Sequence, residues 1–324
     1  MAMMRRLFPT LPGWARADNP VMQYQLGHGE QPSRGVRLVR AFGEIMFVAA
    51  LLLIGYMLAT NFLRAQPGSY PVESINNVLY FPLLGLQVLL SVAALLLTTG
   101  TINRERRMRH WDNLRATPGG ADLILRTRWA SVFYRLRGLL GIILAGRVLL
   151  LIGILYDLTA FQGRYIDLLI NGVIPETSMI AAVLLLALQM TASILLPITT
   201  TGFDASFGLF ISTVVEQRTY NVLLQLLLIL MRVGVTVVLV YGAAQFLAGQ
   251  ISIGDPATWL LMFGASAVGD QGLSMLYLGR AGEIWTTVPY SIFIGLALII
   301  FCFAQAYLAD RLLTLAIKRA QKRG

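Results

Sequence analysis

The chain's 324 residues are 56% hydrophobic and only 13% charged, where soluble domains run roughly 45 to 50% apolar and about 25% charged. A surface built from these residues cannot all face water, so a soluble globular domain is excluded and the apolar excess must meet lipid. The formal charge of +10 would suggest nucleic acid in a soluble protein. In a membrane protein the basic bias of cytoplasmic loops accounts for it, and no nucleic-acid partner is expected.

At the N-terminus Arg5 and Arg6 are followed by Pro9 and Pro12, which break the apolar core a signal peptide needs. Residues 1–41 therefore read as a mature cytoplasmic segment, with 7–40 lying on the inner face. A spanning helix takes about 20 mostly apolar residues. The segments 42–62, 78–99, 139–156, 179–198, 220–247 and 288–308 qualify as spans. Pro82 falls near the outer end of the second, and Pro67, Gly68 and Pro71 mark a short turn-rich loop before it. Pro197 with Thr199, Thr200 and Thr201 marks the end of the fourth, and Pro289 opens the sixth.

Two apolar stretches fit this count less simply. Segment 202–215 is too short to span and contains Asp204, so it reads as an interfacial or kinked continuation of the fourth span on the cytoplasmic side. Segment 257–278 is broken by Gly264, Gly269, Asp270 and Gly272, which suits a re-entrant or surface-lying hairpin. It sits within an outer cap region, 251–285, with Trp259 and Trp285 as interfacial anchors. The single cysteine, Cys302, lies inside an apolar run and leaves no internal disulfide or multi-cysteine metal site.

Charge sets the orientation. Six Lys or Arg residues precede the first span, nine fall in 101–137 and five follow the sixth, against three (Arg64, Arg164, Arg280) in the opposite loops. An even number of spans with both termini cytoplasmic keeps that bias consistent. The expected architecture is an all-α integral membrane protein of about six transmembrane helices, with one membrane domain over 42–312 and a basic cytoplasmic tail over 313–324.

The loop 101–137 is too long and too charged for a simple connection. Residues 104–114 contain no helix breaker, and Met108, Trp111 and Leu114 recur at helical spacing, so one face is apolar. Thr117-Pro118-Gly119-Gly120 stops that helix, and an amphipathic piece, 121–133, leads back to the membrane with Leu123, Leu125 and Trp129 among arginines. A short surface helix ended by a turn can pass force from a cytoplasmic partner. It can equally be a basic loop on anionic headgroups, at about 1 kcal/mol per Lys or Arg.

The string Glu105-Arg106, Trp111-Asp112-x-Leu114, Thr117-Pro118 resembles the cytoplasmic loop of the permease subunits of type-2, exporter-type ATP-binding-cassette transporters. Asn19-Pro20-Val21 resembles that family's N-terminal interfacial helix, with Gln23 and Gln25 where the family carries an acidic-basic pair. Gly208-Leu209-Phe210 through Ser212 to Arg218 resembles its small-residue stretch ending the fourth span. The resemblance implies that Glu105, Arg106, Trp111, Asp112, Leu114, Thr117 and Pro118 form a coupling helix docked on an ATP-binding-cassette ATPase subunit. It further implies a second permease copy or a related permease, and the bacterial or archaeal inner membrane as location. No G-x(4)-G-K-S/T loop occurs, so ATP and Mg would be held by the partner subunit, with no cofactor in this chain.

Enzyme chemistry finds no motif. His28 and His110 lack metal-ligand spacing, and Ser193, Ser206 and Ser212 lack a Gly-x-Ser-x-Gly elbow, so no catalytic, cofactor or metal residue is assigned. Arg147 and Arg232 fall mid-span, where an arginine costs about 2.5 to 3.5 kcal/mol, so each must face protein or water. Either they line a path for anionic or amphipathic cargo with Gln189, Gln225 and Tyr241, or they bond across helices to carbonyls or to a carboxylate such as Asp157 or Glu44. Two other readings stay open. A secondary transporter would show inverted repeats and a paired acidic site, whereas only one half here is interrupted. A scaffold subunit of a larger membrane complex would lack the nucleotide-hydrolysing companion that an exporter requires.

Overall fold

A computed structural model describes residues 12–26, 71–100, 120–160, 170–215 and 217–322, with scattered positions between 35 and 53. All regular structure among the described residues is helical: α1 (Pro20–Leu26), α2 (Pro71–Thr99), α3 (Gly120–Ala160), α4 (Met179–Val214), α5 (Arg218–Leu247), α6 (Asp255–Gly264), α7 (Leu278–Thr287) and α8 (Ile294–Lys322). Five of these, α2, α3, α4, α5 and α8, are long and apolar enough to cross a membrane, which makes the chain a multi-pass membrane protein. Helices are the element that satisfies every backbone polar group without water. The expected first span, 42–62, is covered only at scattered positions, and the coupling-loop residues Glu105 to Pro118 lie outside the described residues.

Helix α4 is the centre, packing against α2, α3 and α8. Small residues let its neighbours approach closely, as spanning helices favour. A Cβ on Gly295 of α8 would lie 2.8 Å from the Leu185 carbonyl oxygen and 2.9 Å from the Gln189 nitrogen, both on α4. Helix α5 instead packs on α2 and the short pieces that follow it. It turns Leu223, Leu227, Leu230 and Val238 outward, an apolar face suited to lipid.

Three boundaries differ from expectation. The fourth span does not stop at Pro197 and the threonines but runs on to Val214. The Thr201 hydroxyl donates to the Pro197 carbonyl oxygen of its own helix (2.6 Å) and that of Thr199 to Gln305 Oε1 on α8 (2.8 Å), so both are satisfied inside a continuing helix. Segment 202–214 is thus the same helix. The amphipathic piece at 121–133 is likewise not separate: Gly120 (φ +46°) is the turn from which α3 runs unbroken to Ala160. The final helix opens through the left-handed Tyr290 (φ 62°) and a 3-10 turn at Ser291–Phe293, later than Pro289, and it carries the basic residues after 312 on to Lys322.

Before α1, the turn Gly13–Ala15 folds against the base of α3. Asn19 caps α1, its Oδ1 accepting from the Val21 amide (2.9 Å), and Pro20 takes the first helical position that its fixed φ suits. Met22 is buried against Ala130 and Trp129. The Tyr134 hydroxyl donates to the Ala15 carbonyl (2.9 Å), Thr127 Oγ1 to the Trp14 carbonyl (3.3 Å), and Arg135 to the Gln25 carbonyl.

Gly295→Ala is expected to destabilise the fold by about 1 to 3 kcal/mol, because the added methyl meets backbone on α4 that cannot turn aside. Gly141→Ala, with nothing within 4 Å of its Cβ, is expected to be neutral or stabilising by about 0.5 to 1 kcal/mol. Thermal unfolding in detergent measures both, and equal melting temperatures would contradict the α4–α8 packing.

Candidate functional site

Between α5 and α8 the chain makes a broken excursion. Helix α6 returns alongside α5, where a Cβ on Gly242 would touch Leu261 and one on Gly264 would touch Leu239. A π-helical turn, Ala265–Gly269, carries the chain to Asp270, level with Val240 and Leu239. That is about 12 Å in from the end of α5 at 1.5 Å per residue. A 3-10 turn, Ser274–Leu276, and α7 then lead away. Segment 251–285, expected as a re-entrant or cap region, is thus a chain of short helical pieces lying beside α5. The expected role of Trp285 does not: it is 2% exposed, packed in the core with Leu276, Leu278 and Ile292, because α7 folds back under the bundle end. Trp259 is half-buried, and its Nε1 donates to the Tyr290 carbonyl (3.0 Å).

The tip of this excursion is closed by its own carboxylate. Asp270 Oδ1 accepts from the Gly272 amide (3.0 Å) and Oδ2 from the Ser274 amide (2.9 Å), with the Tyr80 hydroxyl at 3.4 Å. The turn places Gln271 at φ 52° and Gly272 at φ 79°. Glycine at 272 is required twice over, since φ > 0 disfavours side chains and a Cβ there would lie 2.4 Å from Ser193 Oγ.

Arg147, fully buried on α3, holds the tip to the bundle. Its Nη1 donates to the Gln271 carbonyl (2.7 Å) and the Ser193 carbonyl, and its Nη2 to Gln87 Oε1 and the Asp270 carbonyl (3.3 Å). The Ser193 carbonyl is available for a local reason. The residue four positions on is Pro197, inside α4, and proline has no N–H to close the helical bond. Ser193 Oγ lies 2.9 Å from both the Gln189 and Gly272 carbonyl oxygens, and Gln189 Nε2 donates to the Met275 carbonyl (3.2 Å). One guanidinium thus joins α2, α3, α4 and the tip at Asp270 and Gln271. The carboxylate facing Arg147 electrostatically is that of Asp270; Glu44, one of the two carboxylates considered, lies outside the described residues. Its five N–H donors in a fixed fork suit several carbonyls at once.

Of the expected pathway residues, Arg147 and Gln189 come together in this clasp. Arg232 joins a second polar cluster, with Nη2 3.5 Å from Ser91 Oγ and facing Asp204 of α4. Gln225 is half-buried and Tyr241 is 64% exposed on α5, and neither hydrogen-bonds to either cluster among the described residues. Gln87, Ser91 and Asp270 belong to the site although sequence reasoning passed over them. The four-residue spacing of Gln87 and Ser91 on an apolar span is the signal that places both on one helix face. Buried atoms without a partner among the described residues gather here too: Arg147 Nε, Gln87 Nε2, Gln189 Oε1 and Gln271 Oε1 in the clasp, and Asp204 Oδ2 beside Arg232. Such atoms are hydrogen-bonding capacity that a polar group entering the bundle would meet. No group of acidic, histidine or cysteine residues able to hold a metal occurs among the described residues.

No protein-family model, no curated protein and no solved structure matches the chain.

Arg147→Met strips the fork from several buried acceptors and leaves Asp270 without its cation, a loss expected to cost about 3 to 5 kcal/mol of stability. A Met275→Cys reporter in a Cys302→Ala background should be protected from thiol reagents with Arg147 present and modified readily in Arg147→Met. Arg147→Lys, which keeps charge but has three donors, should fall between the two. Unchanged protection in Arg147→Met would show that the arginine does not hold the tip.

Proposed function

We propose that the chain is the membrane-spanning permease subunit of an ATP-binding-cassette exporter, driven by a separate ATP-hydrolysing subunit that holds ATP and Mg. In this reading both termini and the 101–119 loop are cytoplasmic in a bacterial or archaeal inner membrane. A second copy or a related permease completes the pathway, and the excursion through 251–285 is the outer gate. The residues Glu105 to Pro118 resemble the coupling helix of that family, and α1 opens at Asn19-Pro20 as the family's interfacial helix does.

The observation that carries the reading is mechanical. Helix α3 begins at Gly120, two positions after Pro118 in the sequence, and continues without interruption past Arg147. Those 27 residues make a rod of about 40 Å from the loop to the clasp on the tip. A push on the loop would travel along one rigid element, braced at its base by α1, and arrive where Arg147 grips Asp270 and Gln271. A secondary transporter or a static scaffold has no need of that connection.

Trp111→Ala, in the loop, is expected to leave the melting temperature unchanged. It should cut cargo export at least about tenfold, the weight of 1.4 kcal/mol of lost coupling, while ATP hydrolysis by the companion continues. Purification in mild detergent should bring down a subunit with a Walker-type phosphate loop. A complex without such a companion, or full coupling after inversion of 104–117, would defeat the proposal.

A further inference from the structure

The docking of the N-terminal segment leaves a cavity of about 310 Å³ between it and α3, α4 and α8. Trp14, Trp129 and Phe133 form its aromatic wall, and Gly202, Ile198 and Ala309 its aliphatic one. Trp129 is fixed by the bond from its Nε1 to the Gly202 carbonyl (2.9 Å). A water needs two to four polar partners, which the aromatic and aliphatic walls do not supply, so that part of the volume suits an apolar chain.

Of the polar lining residues, Thr199 sits beside Ile198 with its hydroxyl donated to Gln305 Oε1 (2.8 Å), and Ser206, Arg126 and Asp310 lie apart from it. Trp129 meets Gly202, Thr200 meets Gln305, and Leu209 packs with Ile124, Leu125 and Leu313. Ser206, Arg126 and Asp310 therefore share one level, between those contacts, while Phe133 and Ile198 lie one to two turns further into the bundle. The cavity is polar at one end and apolar at the other. Arg126 uses Nε for Asp122 (2.8 Å), leaving its two terminal nitrogens, and Asp310 is exposed with no bond among the described residues. The two are not paired with each other within 4 Å.

We propose that this cavity binds one glycerophospholipid with a primary-amine zwitterionic head, of the phosphatidylethanolamine type. One acyl chain lies along Trp129, Phe133 and Ile198. The terminal nitrogens of Arg126 hold the phosphate, and Asp310 holds the ammonium. The opposed charges at one level select a zwitterion over an anionic head, and the site stands whether or not the chain is an exporter subunit.

The test is native mass spectrometry of the purified, delipidated full chain titrated with phosphatidylethanolamine, phosphatidylcholine or phosphatidylglycerol of identical acyl chains. The wild type should retain phosphatidylethanolamine most tightly, by about tenfold over phosphatidylcholine, since a quaternary ammonium cannot hydrogen-bond to Asp310. Asp310→Asn should erase that preference, and Ala306→Phe, filling the cavity from its exposed side, should weaken all three lipids. If Ala306→Phe lowers the melting temperature, the headgroup ratio in Asp310→Asn decides alone. Tighter phosphatidylglycerol binding, no retained lipid in the wild type, or an unchanged headgroup ratio in Asp310→Asn would overturn the assignment.

Discussion

The bundle depends on one carbonyl that a proline sets free. Pro197 sits in the middle of α4 and cannot donate to the Ser193 oxygen, so that oxygen turns to the Arg147 guanidinium on α3. Each is a fault alone: a proline inside a spanning helix loses a backbone bond, and an arginine in hydrocarbon is expensive. Together they cancel, which is the general condition on which prolines persist in membrane helices. The pairing fixes the register of α3 against α4 at a single level.

From that point the rest of the site is constrained. Beyond Ser193 and Gln87, the two Nη groups of the guanidinium also donate to the tip, which meets them with the carbonyl oxygens of Gln271 and Asp270. The tip does so by folding around Asp270, whose carboxylate takes the Gly272 and Ser274 amides and leaves the oxygens of 270, 271 and 272 pointing at the bundle. Irregular backbone at this depth is tolerable because it is buried in protein and its polar groups are answered. The Ser91, Asp204 and Arg232 cluster follows the same logic one turn along α2, with a cation brought from α5.

Much of this was legible in the sequence, for reasons that can be named. Long apolar runs report spans directly, and five of them appear as helices. Gly264, Gly269, Asp270 and Gly272 announced an interrupted segment, and mid-span Arg147 announced a buried partner. What sequence could not give was which acceptors Arg147 would find, because they are mostly backbone carbonyls, which every residue carries alike. Threonines and Pro197 read as a helix end since they favour turns in water. In a dry bundle the hydroxyls find acceptors on their own helix and on α8, and the proline is answered from α3. Trp285 read as an anchor because indoles favour interfaces, yet α7 buries it.

The clasp also has a history in time. Its members are spread over the chain: Gln87 lies 60 residues before Arg147, Ser193 46 after it and Asp270 123 after it. At about 5 to 20 residues per second, the tip leaves the ribosome roughly 6 to 25 seconds behind the arginine it will meet. Until Ser193 follows, roughly 2 to 9 seconds after the arginine, Gln87 is the one partner already synthesised, so its amide side chain is the group of the clasp that first escorts the charge into the bilayer.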